Sequence, residues 1–341
     1  MNTYKVIEVG PSGALRPSRR PLVEPSPGQV RIRVQACGIC HTDSVAVQPH
    51  PENESGRVPG HEVVGIIDAV GGDVSRWDIG DRVGVGFLGG HCGVCDPCRR
   101  GQFVACADQP LTGVTVDGGY AEFIYARASG LAAIPATLPS REAAPLLCAG
   151  FTTFNALLKG KATAGDLVAI QGIGGLGHLG IQYAAKMGLR VAAVARGTSK
   201  KDLALQLGAH HYIDSTATTS GDILQGLGGA QVIVATAASG NSMTSLLGGL
   251  ATGGRLVVVG ASDESLSVTP HELIFGGVNI GGSLTGTSIE NEDNLQFAAA
   301  QGIRALVELS HLDDSAAAYD RMMSGNARFR MVLDLGDTPL P

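Results

Sequence analysis

The stretch that decides the fold is "DLVAIQGIGGLGHLGIQYAAKMGLRVAAVARG", residues 166–197. An apolar run over 167–170 reads as a strand, and "GHLGIQYAAKMG" (177–188) as a helix. A second apolar run, "RVAAVA", follows. Between strand and helix, Gly172, Gly174 and Gly177 fit G-x-G-x-x-G. Strand, glycine turn, helix and strand in that order make a parallel βαβ unit, the context in which this motif binds a dinucleotide. The glycines permit the sharp turn, and the backbone of Gly172, Gly174, Gly175, Leu176 and Gly177 can meet a pyrophosphate at the helix N-terminus.

Downstream the alternation continues. "SKKDLALQLGA" reads as a helix, and "HYID", "QVIVATAA", "RLVVVGA" and "GVNIGGSL" as further strands. That series predicts a doubly wound parallel α/β sheet over about 151–285. Upstream the texture differs: residues 1–140 are short β-rich pieces such as "QVRIRVQA" and "HEVVGIIDAVG", punctuated by Gly and Pro. "SREAAPLLCAGFTTFNALLKG" predicts one helix over 140–160, with Ser140 as N-cap and Gly160 as its stop. After 286 come two helical stretches and a closing strand in "RFRMVLDL".

Composition bounds the classes. With 341 residues the chain is long enough for about two domains. Glycine supplies 49 of them, against a usual share of about 7%. The net charge is −6 with no basic block, which argues against nucleic acid or an anionic membrane as partner. No run of about 18 apolar residues exists, and "MNTYKVIEVG" has no apolar signal core, so the expected location is the cytoplasm. In that compartment seven clustered cysteines point to metal or catalysis rather than disulfides.

The strand after the glycine turn should end in the residue that reads the ribose. NAD-binding sites place Asp or Glu there; this chain has Ala195 and Arg196, with Lys200 close by. A guanidinium suits a 2′-phosphate, so NADP(H) is favoured over NAD(H).

"HCGVCDPCRRGQFVAC" spaces Cys92, Cys95, Cys98 and Cys106 as C-x2-C-x2-C-x7-C, a lobe over about 90–107. Four thiolates so close can enclose one zinc with no open position, as structural sites do. An iron–sulfur cluster is the rival, without its usual Cys-Pro ending. Three cysteines remain. Cys37 reads as a small buried thiol; Cys40, in "CGICHTD", and Cys148, in "APLLCAG", form no local metal motif, and neither does His61–Glu62 in "PGHEVVG".

Taken in order, "CGICHTD", "PGHEVVG", "GDRVGVG", the four-cysteine lobe, "DGGYAEF", "APLLCAG", "GIGGLGH" and "RMVLDL" resemble the zinc-dependent medium-chain alcohol dehydrogenases, especially the short bacterial members. The resemblance spans nearly the whole chain. It implies a GroES-like β-rich catalytic domain over 1–150 and 286–341, with a Rossmann domain at 151–285 between them. It implies a catalytic zinc on Cys40, His61 and Cys148, with Glu62 as a transient ligand, besides the structural zinc. Thr42 corresponds to the hydroxyl that binds the substrate oxygen, and Asp43 to the carboxylate that orients His61. His41, Thr152 and Arg330 correspond to cofactor contacts, while Phe87, Leu88 and Leu284 fall where the family lines its substrate pocket. A homotetramer, or a homodimer, is implied too. The activity would be reversible hydride transfer between an alcohol and its aldehyde or ketone.

One departure stands out. Relatives carry a His at the position of Val45, where it ends a proton relay; here the relay must run through water, Ser44 or the cofactor ribose. His50 is near in sequence only. Three other readings remain: a polyol- or threonine-type dehydrogenase, a zinc-free enone reductase on the same fold, and a non-catalytic zinc-ribbon protein. The four-cysteine lobe and paired site cysteines oppose the first, the complete ligand set the second, and the acidic charge the third.

Overall fold

In "QVRIRVQACGI" nearly every side chain is buried, and the stretch forms the long strand β3 (Gln29–Ile39) at the centre of a sheet. The computed structural model describes residues 2–10, 12–48 and 56–336; His50 lies outside them. The chain divides into two compact units. One comprises residues 1–148, 285–300 and 304–341, the other 149–284 and 301–303.

In the first unit, β1 (Thr3–Val9) and β2 (Leu15–Pro21) form a hairpin. The main sheet contains β3, β4 (Glu62–Val70), β5 (Arg82–Val85), β6 (Phe123–Arg127) and β7 (Leu131–Ala133). The strands later numbered β14 (Val307–Ser310) and β15 (Arg330–Asp334) complete it, in the order β14-β15-β3-β4-β5-β7, with β6 also on β3. Val30, Ile32, Ile39, Val63, Ile67 and Tyr120 sit in its buried core. Two pairings position the site. Gly38 on β3 faces Glu62 on β4, and Met331 on β15 faces Ile39, which brings Arg330 level with Cys40.

The second unit holds β8 (Leu167–Gln171), β9 (Arg190–Ala195), β10 (His211–Asp214), β11 (Ala230–Ala235), β12 (Leu250–Val258) and β13 (Asn279–Gly282). All are parallel, in the order β10-β9-β8-β11-β12-β13. Counted within the unit this is 3-2-1-4-5-6, whose switch point between β8 and β11 is where such sheets bind ligands.

The single helix expected over 140–160 is instead three pieces: Ser140–Ala143, a tight turn Ala144–Leu147, and Ala149–Gly160. Pro145 cannot donate to the helical ladder. Cys148 then leaves helical geometry (φ −124°, ψ −72°). Nor is Ser140 the N-cap: Pro139 holds that place, and the Ser140 hydroxyl donates to Gln35 while accepting from Arg82.

Candidate active site

"CHTD" closes on itself. After β3, residues His41–Asp43 form a single tight turn in which Asp43 N–H donates to the Cys40 carbonyl at 3.0 Å. Asp43 Oδ2 in return accepts from Cys40 N–H at 2.9 Å. Its other oxygen, Oδ1, lies 2.8 Å from His61 Nδ1 at the head of β4. Asp43, His61 and Glu62 are all buried.

Room for Glu62 comes from Gly38, where a Cβ would stand 1.9 Å from Oε2 of that carboxylate. A glycine in "CGIC" is thus a steric requirement of the site. The Cys148 Sγ, at the break before its helix, lies 4.0 Å from Cys40 Sγ. One donor atom each from Cys40, His61, Glu62 and Cys148 falls within 4.8 Å of the others.

The electrostatics suit a cation. Hydrogen bonding with Cys148 holds Cys40 well below the ordinary thiol range, and that same bond with burial pushes Cys148 well above it. A metal at this point would take both as thiolates. Burial disfavours a charged His61, but the Asp43 and Cys40 charges outweigh it and raise its pKa well above the usual value. Burial pushes Glu62 up to about 7 against the pull of Arg330. His61 Nε2 and Glu62 Oε2 are buried with no hydrogen-bond partner. Two thiols, an imidazole with an orphaned nitrogen and a carboxylate converge on one point, and this donor set fits zinc.

Cys92, Cys95, Cys98 and Cys106 form the second such group, again within 4.8 Å. Backbone N–H groups point at the sulfurs: Cys92 N to Cys106 Sγ at 3.3 Å, Cys95 N to Cys92 Sγ at 3.4 Å and Ala107 N to Cys95 Sγ at 3.5 Å. The N–H groups of Ala107 and Cys98 lower the Cys95 pKa to about 6. Hydrogen bonds from the Val94 and Cys95 N–H groups lower Cys92 as well, whereas burial pushes Cys98 up to about 12. His91, adjacent, stacks on Phe103 at 4.2 Å between ring centroids.

In the second unit a cavity of about 800 Å³ opens at the C-terminal ends of β8, β9 and β11. Gly172, Gly174, Gly175, Leu176, Ala195, Arg196 and Lys200 line it. A Cβ at Gly177 would stand 1.7 Å from the Gly172 carbonyl oxygen, so only glycine permits that packing, whereas Gly174 faces open space. Tight turn, close packing and an open approach are the three glycine roles of a dinucleotide cradle. Lys200 Nζ donates to the Ile173 carbonyl at 2.7 Å, and Arg196 is exposed on the rim. Asp214, at the end of β10, accepts from Gly197 N–H and from Thr216, and Glu264, which does line the cavity, accepts from the Ser239 hydroxyl.

Residues 26–136 match the alcohol dehydrogenase GroES-like domain, and residues 175–300 the zinc-binding dehydrogenase domain. Alcohol dehydrogenase notN of Aspergillus sp. is 40% identical over 315 residues, 92% of this chain and 93% of that protein. An alcohol dehydrogenase of Geobacillus stearothermophilus is 40% identical over 309 residues, 90% of this chain and 92% of its own. The chain belongs to the zinc-dependent medium-chain alcohol dehydrogenases. Its fold pairs a GroES-like with a Rossmann-type domain, and it is an alcohol oxidoreductase. The solved structure of CAD from Helicobacter pylori, complexed with NADP(H), superimposes with a TM-score of 0.84 at 28% identity, covering 99% of both chains.

Other expected site residues of this dehydrogenase are dispersed. Thr42 Oγ1 lies 3.7 Å from Cys40 Sγ, and the Phe87 ring meets His61 edge-on at 5.3 Å. Leu88 instead bridges to Leu111 and lines a small cavity beside His91 and Phe103. His41 is exposed in its turn; Thr152 is buried in the helix Ala149–Gly160; Leu284 is half-exposed in the second unit. Arg330, expected at a pyrophosphate, is buried and its guanidinium donates to Glu62.

Two contacts escaped the sequence reading. One is the Arg330–Glu62 pair; the other is Tyr120, whose hydroxyl donates to Asp43 Oδ2 at 2.9 Å. "DGGYAEF" marked the second as a motif without assigning its Tyr a partner.

Proposed function

We propose that this dehydrogenase interconverts simple aliphatic or aromatic alcohols and their aldehydes or ketones, using two zinc ions per chain and NADP(H). The observation that carries the reading is the convergence of Cys40, His61 and Cys148 on His61's orphaned Nε2. These three residues would hold the catalytic zinc, Glu62 stands ready as a fourth donor, and the four-cysteine lobe would hold a structural zinc. Bound there, zinc supplies Lewis acidity to an alcohol or carbonyl oxygen, and the dinucleotide carries the hydride.

The chain's own residues do the rest. Thr42 accepts the alcohol proton in a hydrogen bond and passes it outward. Asp43 holds the His61 tautomer, and the glycine turn receives the pyrophosphate at its N–H groups. The Phe87 ring beside His61 gives the substrate an apolar wall, which favours simple alcohols over polyols. The test is purified protein with a panel of alcohols and aldehydes against both cofactors; absence of turnover with every pair contradicts the reading.

Arg196 on the cavity rim, with no acid at Ala195, supports NADP(H). Hydrogen bonds to charged groups contribute about 1.5–3 kcal/mol. Arg196→Asp is therefore expected to lower kcat/KM for NADPH by about 10- to 100-fold, with NADH little changed. An unchanged NADPH/NADH ratio contradicts the assignment.

Val45, 52% exposed, can reach water, while Ser44 beside it is buried. Val45→His is expected to add an inflection near pH 6.5, the ordinary imidazole range, to the pH profile of alcohol oxidation. A profile superimposable on wild type would remove Val45 from the proton's exit route.

No helix among the described residues is long and apolar enough to cross a membrane, and we assign the enzyme to the cytoplasm. Cell fractionation tests this. Among the described residues β13 pairs only with β12 and ends its sheet, a few positions after exposed Ile274 and Phe275. Such edges invite pairing with another chain. A second copy joining edge to edge gives a homodimer, and two of these the homotetramer; a monomer in sedimentation velocity contradicts this.

A further inference from the structure

Asp43 accepts three hydrogen bonds. Two come from the ligand loops, Cys40 N–H and His61 Nδ1–H. The third comes from Tyr120, 77 positions away and fully buried. Tyr120 is itself held on several sides. Its N–H donates to the Pro59 carbonyl at 3.0 Å, and its carbonyl accepts from Ile7 N–H at 2.8 Å. Its ring lies against Gly60, where a Cβ would come within 2.5 Å of Cδ1. The same residue thus braces the loop leading into His61 and the carboxylate that orients it.

We propose that the Tyr120 hydroxyl is a positioning group for the His61 ligand, an inference that rests on the zinc reading above. Oδ2 of Asp43 takes two donors, Cys40 N–H and Tyr120 O–H, and these fix the plane of the carboxylate. Oδ1 is then left facing His61 Nδ1. With Nδ1 committed to Asp43, Nε2, the atom left without a partner, is the nitrogen that would be offered to a metal. Without the phenol hydroxyl, Oδ2 keeps a single donor and the carboxylate can turn. The imidazole loses its fixed direction, although the ring that fills the core is unchanged. Outer partners of ligating histidines are worth about 10–100-fold in metal affinity. Tyr120, one bond further out, should fall at the low end.

The test follows zinc release from the holoenzyme into excess chromophoric chelator. Wild type should release in two phases, and the one missing from Cys148→Ala belongs to the His61 site. In Tyr120→Phe that phase is expected to quicken about 10-fold, with the four-cysteine phase unchanged. In an Asp43→Asn background Tyr120→Phe should add nothing, because the hydroxyl acts through that carboxylate. Unchanged release, equal acceleration of both phases, or an additive effect in the Asp43→Asn background overturns the proposal. A single phase in wild type would instead overturn the two-zinc reading on which it rests.

Discussion

Cys148→Ala is expected to lose alcohol oxidation by about 10³-fold or more, because Lewis-acid stabilisation is worth several kcal/mol and each 1.36 kcal/mol is tenfold in rate. Catalytic zinc sites of this kind rely on three protein ligands and keep one position open. With Cys148 gone, Cys40 and His61 remain, and the Oε2 of Glu62, whose Oε1 accepts from Arg330, is a weaker donor to zinc than the lost thiolate. The change should leave the fold intact. Cys148 stands between helical segments rather than inside one, and Ala is smaller than Cys. Circular dichroism should therefore match wild type while kcat collapses. Activity within tenfold of wild type would show that the three residues do not form the catalytic metal site.

Arg330→Met carries the second large effect, on stability. The Arg330 and Glu62 side chains are 5% and 0% exposed, so the pair has little solvent to screen it. Removing one partner of a buried pair costs about 3–5 kcal/mol because the other charge stays buried and uncompensated. At about 2–4 °C per kcal/mol, the melting temperature should fall on the order of 10 °C. The loss should depend on pH. Glu62 already has its pKa raised to about 7 by burial, and without Arg330 it would rise further. A raised carboxyl pKa favours the protonated folded state, so the deficit should be greatest above neutrality and shrink as the pH falls through 7 and Glu62 takes a proton. The double variant Arg330→Met with Glu62→Gln should recover most of the loss. A melting temperature equal to wild type at pH 8 would mean that the pair is not a buried ion pair in solution.

The sequence displayed what is local. The βαβ series and the four cysteines within fifteen positions could be read because spacing alone brings those groups together. Cys40 and Cys148, 108 positions apart, have no such signal, and family likeness rather than periodicity joined them with His61. Sheet register explains why. Gly38 opposes Glu62, and Met331 opposes Ile39, only once β4 and β15 have paired with β3. The same register puts Arg330 beside Glu62, whereas the family resemblance implied a pyrophosphate contact for it. Tyr120 was hidden because nothing in "DGGYAEF" names a partner for its hydroxyl, and Asp43 lies 77 positions away. The break in the helix expected over 140–160 was not read, although Pro145 is its local cause, and the turn of Cys148 serves the site rather than the helix.

Zinc content per chain, measured on wild type and Cys148→Ala purified side by side, tests the central claim most directly. The account predicts two zinc ions in wild type and one in the variant, with the four-cysteine zinc retained. One zinc in wild type, or two in the variant, would contradict it.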